Sequence, residues 1–151
     1  MENKSTGLFG KFGENYLIGI LLEEDFEVFK PEFDRGTDLV VKMGKKMFSF
    51  QIKTRNYSTD KDRHLIIKRK VLEEIDFVIY IIYNGRRDTH FLIIPSEEVM
   101  KWKGSGNREI GIHFPIKYNY NPKNPKVIFK YNGKEINLSK YLDGNGLKLI
   151  K

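Results

Sequence analysis

The sequence predicts a mixed α/β domain, a central sheet flanked by helices, on three observations. An amphipathic helix opens the chain. A wholly apolar run at residues 77–83 has the character of a central strand covered on both faces. Strand-like and helical segments alternate around that run.

The elements follow in order. Over residues 6–24, Leu8, Phe12, Tyr16 and Ile20 fall four apart, and Leu17 and Leu21 join the same side. That period is helical. Gly10, Gly13 and Gly19 weaken the helix on propensity, so packing must hold it. A short strand at 27–30 ends at Pro31. Strands at 39–41 and 47–55 flank a basic hairpin turn at Lys42–Lys46, with Gly44 inside it. Residues 60–74 are polar and end in a short helix. Beyond 77–83, Asn84-Gly85 marks a turn before a strand at 90–94. Pro95-Ser96 reads as a helix start with Ser96 as N-cap. Strands follow at 110–114 and 126–131, separated by a proline-rich loop at 115–125, and Ser139 caps a terminal turn. One domain is expected, with a core over about 8–102 and an unassigned C-terminal extension over 103–151.

Composition narrows the functions. The 151 residues carry 27 Lys+Arg against 20 Asp+Glu, a net charge of +7, and no cysteine. The sequence pI is about 9.4. Disulfides, thiolate zinc sites, cysteine-ligated iron–sulfur clusters and a cysteine nucleophile are excluded. No apolar run approaches the roughly 20 residues of a membrane helix, and the N-terminus lacks a signal-peptide pattern. An intracellular, cytoplasmic protein without a membrane partner is the expectation. The basic surplus points to an anionic partner, nucleic acid first. A merely solvated lysine-rich surface is the alternative reading.

The informative stretch is 38–53. In the 47–55 strand, Phe48, Phe50 and Ile52 alternate with Ser49, Gln51 and Lys53, so Gln51 and Lys53 share a face. A hairpin through Gly44 gives paired residue numbers summing to near 89, which sets Asp38 opposite Gln51. Glu14 joins this cluster if the first helix packs on that face. Phosphodiester hydrolysis uses a hard cation to polarise the phosphate and to acidify an attacking water. Magnesium takes oxygen ligands and keeps several waters. Asp38 offers a carboxylate oxygen, Gln51 an amide oxygen and Ile52 a backbone carbonyl. Glu14 binds directly or through water, and Asp34 competes for a metal role. Lys53 orients the water or stabilises charge developing on the phosphate. The histidines His64, His90 and His113 lack metal-ligand spacing.

The order Glu14, Asp38, Gln51-Ile52-Lys53, over helix, strand and hairpin-linked strand, resembles the PD-(D/E)XK nuclease superfamily. Gly13-Glu14 and the run Arg35-Gly36-Thr37-Asp38-Leu39-Val40 are similar to Holliday-junction-resolvase members. The resemblance implies a restriction-endonuclease-like core. It also implies a DNA endonuclease dependent on Mg²⁺, for which Mn²⁺ substitutes, and a homodimer or higher symmetric oligomer. Its catalytic residues would be Glu14, Asp38, Gln51 and Lys53. Two positions depart from the pattern. Gln51 replaces the usual acid, as in homing endonucleases of the superfamily, and Thr37 precedes Asp38 where a proline is usual. A glutamine keeps the oxygen but removes a charge, so a catalytically silent nucleic-acid-binding module is the alternative.

DNA contacts are expected from Lys45 and Lys46 in the hairpin and from Arg86 and Arg87. Arg55, Tyr57 and Arg63 follow the active strand and are expected nearest the scissile phosphate. Lys42, Lys61 and Lys68-Arg69-Lys70 add basic charge. Such contacts give salt-dependent affinity without reading sequence.

Overall fold

A computed structural model describes residues 4–32, 35–59, 64–102, 112–119, 126–131 and 133–151. The element order is α1 (Lys4–Glu23), β1 (Glu27–Phe29), β2 (Leu39–Met43), β3 (Lys46–Asn56), β4 (His64–Ile67), α2 (Arg69–Glu74), β5 (Phe77–Tyr83), β6 (Thr89–Pro95), α3 (Ser96–Lys101), β7 (Ile112–Asn119), β8 (Lys126–Tyr131) and β9 (Lys134–Asn137). A 3₁₀ turn (Ser139–Tyr141) and α4 (Gly144–Leu147) close the chain. Among the described residues no helix is long and apolar enough to cross a membrane.

A five-stranded sheet runs β1-β2-β3-β5-β6. The β3–β5 pair is parallel and its other pairs are antiparallel, so the sheet is mixed. The β5 run is central, as its composition predicts. Phe77, Ile79 and Ile81 join one core with Leu17 and Leu21 of α1, while Val78, Tyr80 and Ile82 join a second core on the opposite face. An unbroken apolar strand is what such two-sided burial requires.

α1 settles by shape as well as by hydrophobicity. Gly13 lies against Thr54 so closely that an added Cβ would overlap the threonine side chain. Leu17 and Leu21 then reach Phe50 and Ile52.

The second face is covered by α2, α3 and a second sheet of order β4-β7-β8-β9. The C-terminal third, unassigned from sequence, supplies three of these strands and inserts Ile116, Val127 and Phe129 into the second core. Three expectations are corrected. β4 lies in the stretch expected to be polar with one helix. β7 runs through Pro115 to Asn119, where a loop is expected. It pairs with β4 up to Pro115 and with β8 from Ile116, so the proline sits where the strand changes partners. Ser96 makes no side-chain cap bond; Pro95 holds the cap position and the Ser96 hydroxyl is buried without a partner.

The tail is fastened to β6. Asp143 donates its N–H to Phe91 O at 2.8 Å and accepts the Phe91 N–H at 3.0 Å. His90 lies between two carboxylates, Nδ1 at 2.6 Å from Asp143 and Nε2 at 2.7 Å from Asp88. Its pKa is raised, first by the hydrogen bond to Asp143, against the opposing effect of burial. The Tyr16 hydroxyl donates to Thr89 O at 3.1 Å, and burial, then Asp143, raises its pKa.

Candidate active site

The β2–β3 hairpin turns at Gly44, whose φ of 60° is a left-handed conformation that favours glycine. The turn fixes the register. Leu39 pairs with Phe50 and Val41 with Phe48, so paired numbers sum to 89 as the sequence predicts. Asp38, just before β2, continues this ladder. Its N–H donates to Phe50 O at 2.8 Å, and its Oδ2 accepts the Ile52 N–H at 2.6 Å. In an extended strand a residue's N–H and C=O share a direction. The Ile52 carbonyl therefore points to the same edge as the Asp38 carboxylate.

Gln51 and Lys53 lie on the face opposite Phe50 and Ile52 and line a cavity of about 790 Å³. Ile66, Ile67 and Val71 of β4 and α2 give it an apolar wall, and Arg35, Lys68 and Lys70 add three cations. Glu74 is the carboxylate among its described lining residues. Gly36 allows the wall to close: its φ is 94°, and a Cβ there would press on Val71.

The Gln51 Oε1 is buried without a hydrogen-bond partner. A buried amide oxygen left in that state is costly, and a hard cation would satisfy it. Together with the Asp38 carboxylate and the Ile52 carbonyl, it fits an oxygen-donor site for Mg²⁺. Among the described residues no three His, Asp or Glu side chains gather into a metal-binding group. The donor set is thin in charge, as Gln51 implies.

Glu14 is placed differently from the expectation. Because Leu17 and Leu21 bury on Phe50 and Ile52, α1 covers the face opposite Gln51 and Lys53. Glu14 lies 3.4 Å from Lys30 Nζ and does not line the cavity. Continuing the β1–β2 register sets Lys30 opposite Leu39, one residue from Asp38. Glu14 thus approaches the Asp38 end of β2 from the α1 side.

The expected DNA contacts divide. Tyr57 is corrected: it is 5% exposed, and its hydroxyl lies 3.0 Å from Tyr80 Oη and donates to Ile116 O at 2.9 Å. It ties the two sheets together in the core. Arg55 is half-buried, with Nε donating to His64 O at 3.2 Å, so it holds the start of β4 beside the cavity. Lys45 and Lys46 are exposed, but at the opposite end of β3 from Lys53, roughly 23 Å along the strand. Arg86 and Arg87 are exposed beyond Tyr83, which pairs with Asn56, and so lie at the Lys53 end. Arg63 and Asp34 lie outside the described residues. Reasoning from sequence missed Glu74, because β4 must first be recognised before α2 is seen to face Gln51.

No family model matches the chain, and no curated protein matches it by sequence. Solved structures do. The bacterial homing endonuclease I-Ssp6803I superposes with a TM-score of 0.60 at 17% identity, over 97% of this chain and 93% of that one. Hjc, a Holliday junction resolvase from the archaeal hyperthermophile Archaeoglobus fulgidus, gives 0.46 at 14% identity, over 69% of this chain and 86% of that one. The first likeness spans both sheets and the C-terminal strands. The chain therefore shares the fold of that homing endonuclease, a central mixed sheet flanked by helices, as the sequence predicts.

Proposed function

We propose that this chain is a Mg²⁺-dependent DNA endonuclease, homing-type or resolvase-like, with one active site per chain. The observation that carries the reading is the orphaned Gln51 oxygen, next to Lys53 in a cationic cavity, with the Asp38 carboxylate on the N–H of the intervening Ile52. The fold shared with a homing endonuclease supports it.

Asp38, Gln51 and the Ile52 carbonyl would hold the ion, and Glu14 would join through water from the α1 side. The ion, when bound, polarises the scissile phosphate and lowers the pKa of an attacking water. Lys53, next but one to Gln51 on the same face, orients that water or neutralises charge developing on the phosphate. Arg35, Lys68 and Lys70 hold the phosphate backbone across the cavity, and Arg86 and Arg87 extend the track. Two cuts on a duplex or junction use two sites, which favours a symmetric homo-oligomer. DNA and an intracellular setting follow from the same reading.

Purified protein is expected to cut a panel of linear, supercoiled and four-way-junction DNAs in Mg²⁺ or Mn²⁺. Lys53→Ala is expected to bind DNA without cutting. Cutting that persists in chelator would overturn the metal dependence, and cutting by Lys53→Ala would overturn the site.

The neutral Gln51 favours one second reading, a nucleic-acid-binding module without catalysis. A wild type that binds DNA, cuts none of the panel and takes up no Mn²⁺ would establish it.

A further inference from the structure

The cavity beside Gln51 and Lys53 holds more than phosphate chemistry needs. A phosphate backbone takes cations and N–H donors. Arg35, Lys68 and Lys70, all exposed, meet that need. Two other features of the lining do not serve a phosphate.

The first is aliphatic. Along β4, Leu65 and Ile67 enter the second core, while Ile66 alternates to the other side and belongs to neither core. It lines the cavity together with Val71. An aliphatic wall among cations suits a ligand with a flat apolar part and an anionic part, and a nucleotide has both. The volume of about 790 Å³ falls within the roughly 300–1,000 Å³ of small-ligand sites.

The second is Glu74. Its neighbour Glu73 pairs with Arg69 at 3.4 Å. Glu74 is exposed at the cavity and has no ion-pair partner among the described residues, despite the cations that share the lining. A carboxylate repels phosphate and accepts hydrogen bonds through two adjacent oxygens. Guanine matches it with two adjacent donors, N1–H and N2–H, on its Watson–Crick edge. Adenine and cytosine set an acceptor beside their amine, and thymine flanks its one N–H with carbonyls. In a duplex the guanine edge is taken by cytosine, so only an unpaired guanine can present it. A base held out of the stack is gripped in just these two ways, by apolar packing and by bonds to that edge.

We propose that the cavity takes an unpaired guanine nucleotide of the DNA strand, beside the scissile phosphate. Ile66 and Val71 pack on the base, Glu74 accepts N1–H and N2–H, and Arg35, Lys68 and Lys70 hold the flanking phosphates. The proposal rests on the nuclease reading for the presence of DNA, and it adds the substrate class: duplexes with a bulged or looped guanine.

Fluorescence anisotropy in chelator, where metal-dependent cutting is blocked, tests it on three duplexes. One is fully paired, one carries a single unpaired guanine, and one carries an unpaired thymine at the same place. The guanine duplex is expected to bind at least about fivefold tighter than either other, the low end for a bidentate base contact. Glu74→Gln sets an amide N–H₂ against one guanine donor and is expected to bring the guanine duplex to the thymine level. Its melting temperature is expected to stay near wild type, because the side chain is exposed. Free dGMP offers the same chemistry from another source and is expected to bind more weakly than the guanine bulge, since it brings one phosphate to three cations. Equal affinity for the three duplexes, or a guanine preference that survives Glu74→Gln, would overturn the proposal and leave cutting in Mg²⁺, the test of the nuclease reading, untouched. Tighter binding of dGMP than of the bulged duplex would overturn the strand-borne nucleotide. A chain that binds none of the duplexes would overturn the nuclease reading and the proposal together.

Discussion

The Asp38 carboxylate accepts the backbone N–H of Ile52, the residue between Gln51 and Lys53, at 2.6 Å. One side chain therefore serves two ends. It stands in for the strand partner that β3 loses where β2 begins, and it sets a negative oxygen beside the candidate ion site. Two substitutions separate these roles. Asp38→Asn keeps an acceptor oxygen and removes the charge. Cleavage should fall by at least about 100-fold, since loss of a supporting group around a ligand alone costs about 10–100-fold, while urea unfolding stays close to wild type. Asp38→Ala should lose cleavage equally and also about 1.5–3 kcal/mol of stability, the range for a hydrogen bond to a charged group.

Tyr57 gives a prediction of the opposite kind. Its hydroxyl bonds Tyr80 on the main sheet and Ile116 on the second. Tyr57→Phe leaves those buried partners short of a bond, so stability should drop by about 1–3 kcal/mol. DNA affinity across a salt series should not change. A loss of affinity at unchanged stability would return Tyr57 to the DNA surface.

Tyr57 also marks the boundary of what the sequence discloses. The register of Asp38 on Gln51 was legible because a glycine turn and period-two alternation are local signals, and both survive in the fold. The face of β3 that α1 would cover was not. That choice depends on Gly13 meeting Thr54, residues 41 positions apart, and no local pattern encodes it. The second sheet was hidden for a related reason. β4 has four residues and β9 is mostly polar, so neither has a pattern of its own. Tyr57 and Arg55 are assigned to structure only once β4 and β7 are seen beside them.

Gly13 and Thr54 should therefore behave as a pair. Gly13→Ala forces overlap with the threonine side chain, and overpacking of this kind costs about 1–3 kcal/mol. Thr54→Ala removes the hydroxyl, the nearest of the atoms in the way, and the methyl, leaving Cβ alone in close contact. The double variant should recover most of the Gly13→Ala loss, a departure from additivity read from denaturant melts. Additive losses would mean that α1 shifts along the sheet instead.

His90 makes stability depend on pH. Its folded-state pKa is raised, first by the hydrogen bond to Asp143, above an unfolded value of about 6.5. The fold thus favours protonated His90. Its stabilising contribution is full below the unfolded value and is lost as pH rises through the folded one. The urea midpoint should fall as pH rises upward from about 6.5. Asp143→Asn should flatten that slope and loosen the tail from Phe91. An unchanged slope would show that another group governs the dependence.

Gln51→Glu bears on the chemistry most directly. The wild-type oxygen is buried, unpaired and neutral, opposite Asp38 in register. Replacing the amide by a carboxylate keeps an oxygen in the same place and adds a charge, and affinity for hard cations rises with ligand charge. Mn²⁺ binding measured by calorimetry should tighten by roughly tenfold. In the absence of metal the variant should be less stable than wild type at neutral pH, because a second carboxylate beside Asp38 is then uncompensated. Added Mn²⁺ should reverse that loss by preferential binding to the folded state. A carboxylate that destabilises the chain equally with and without metal would mean that no ion sits between Asp38 and Gln51, and that the buried oxygen belongs to the fold alone.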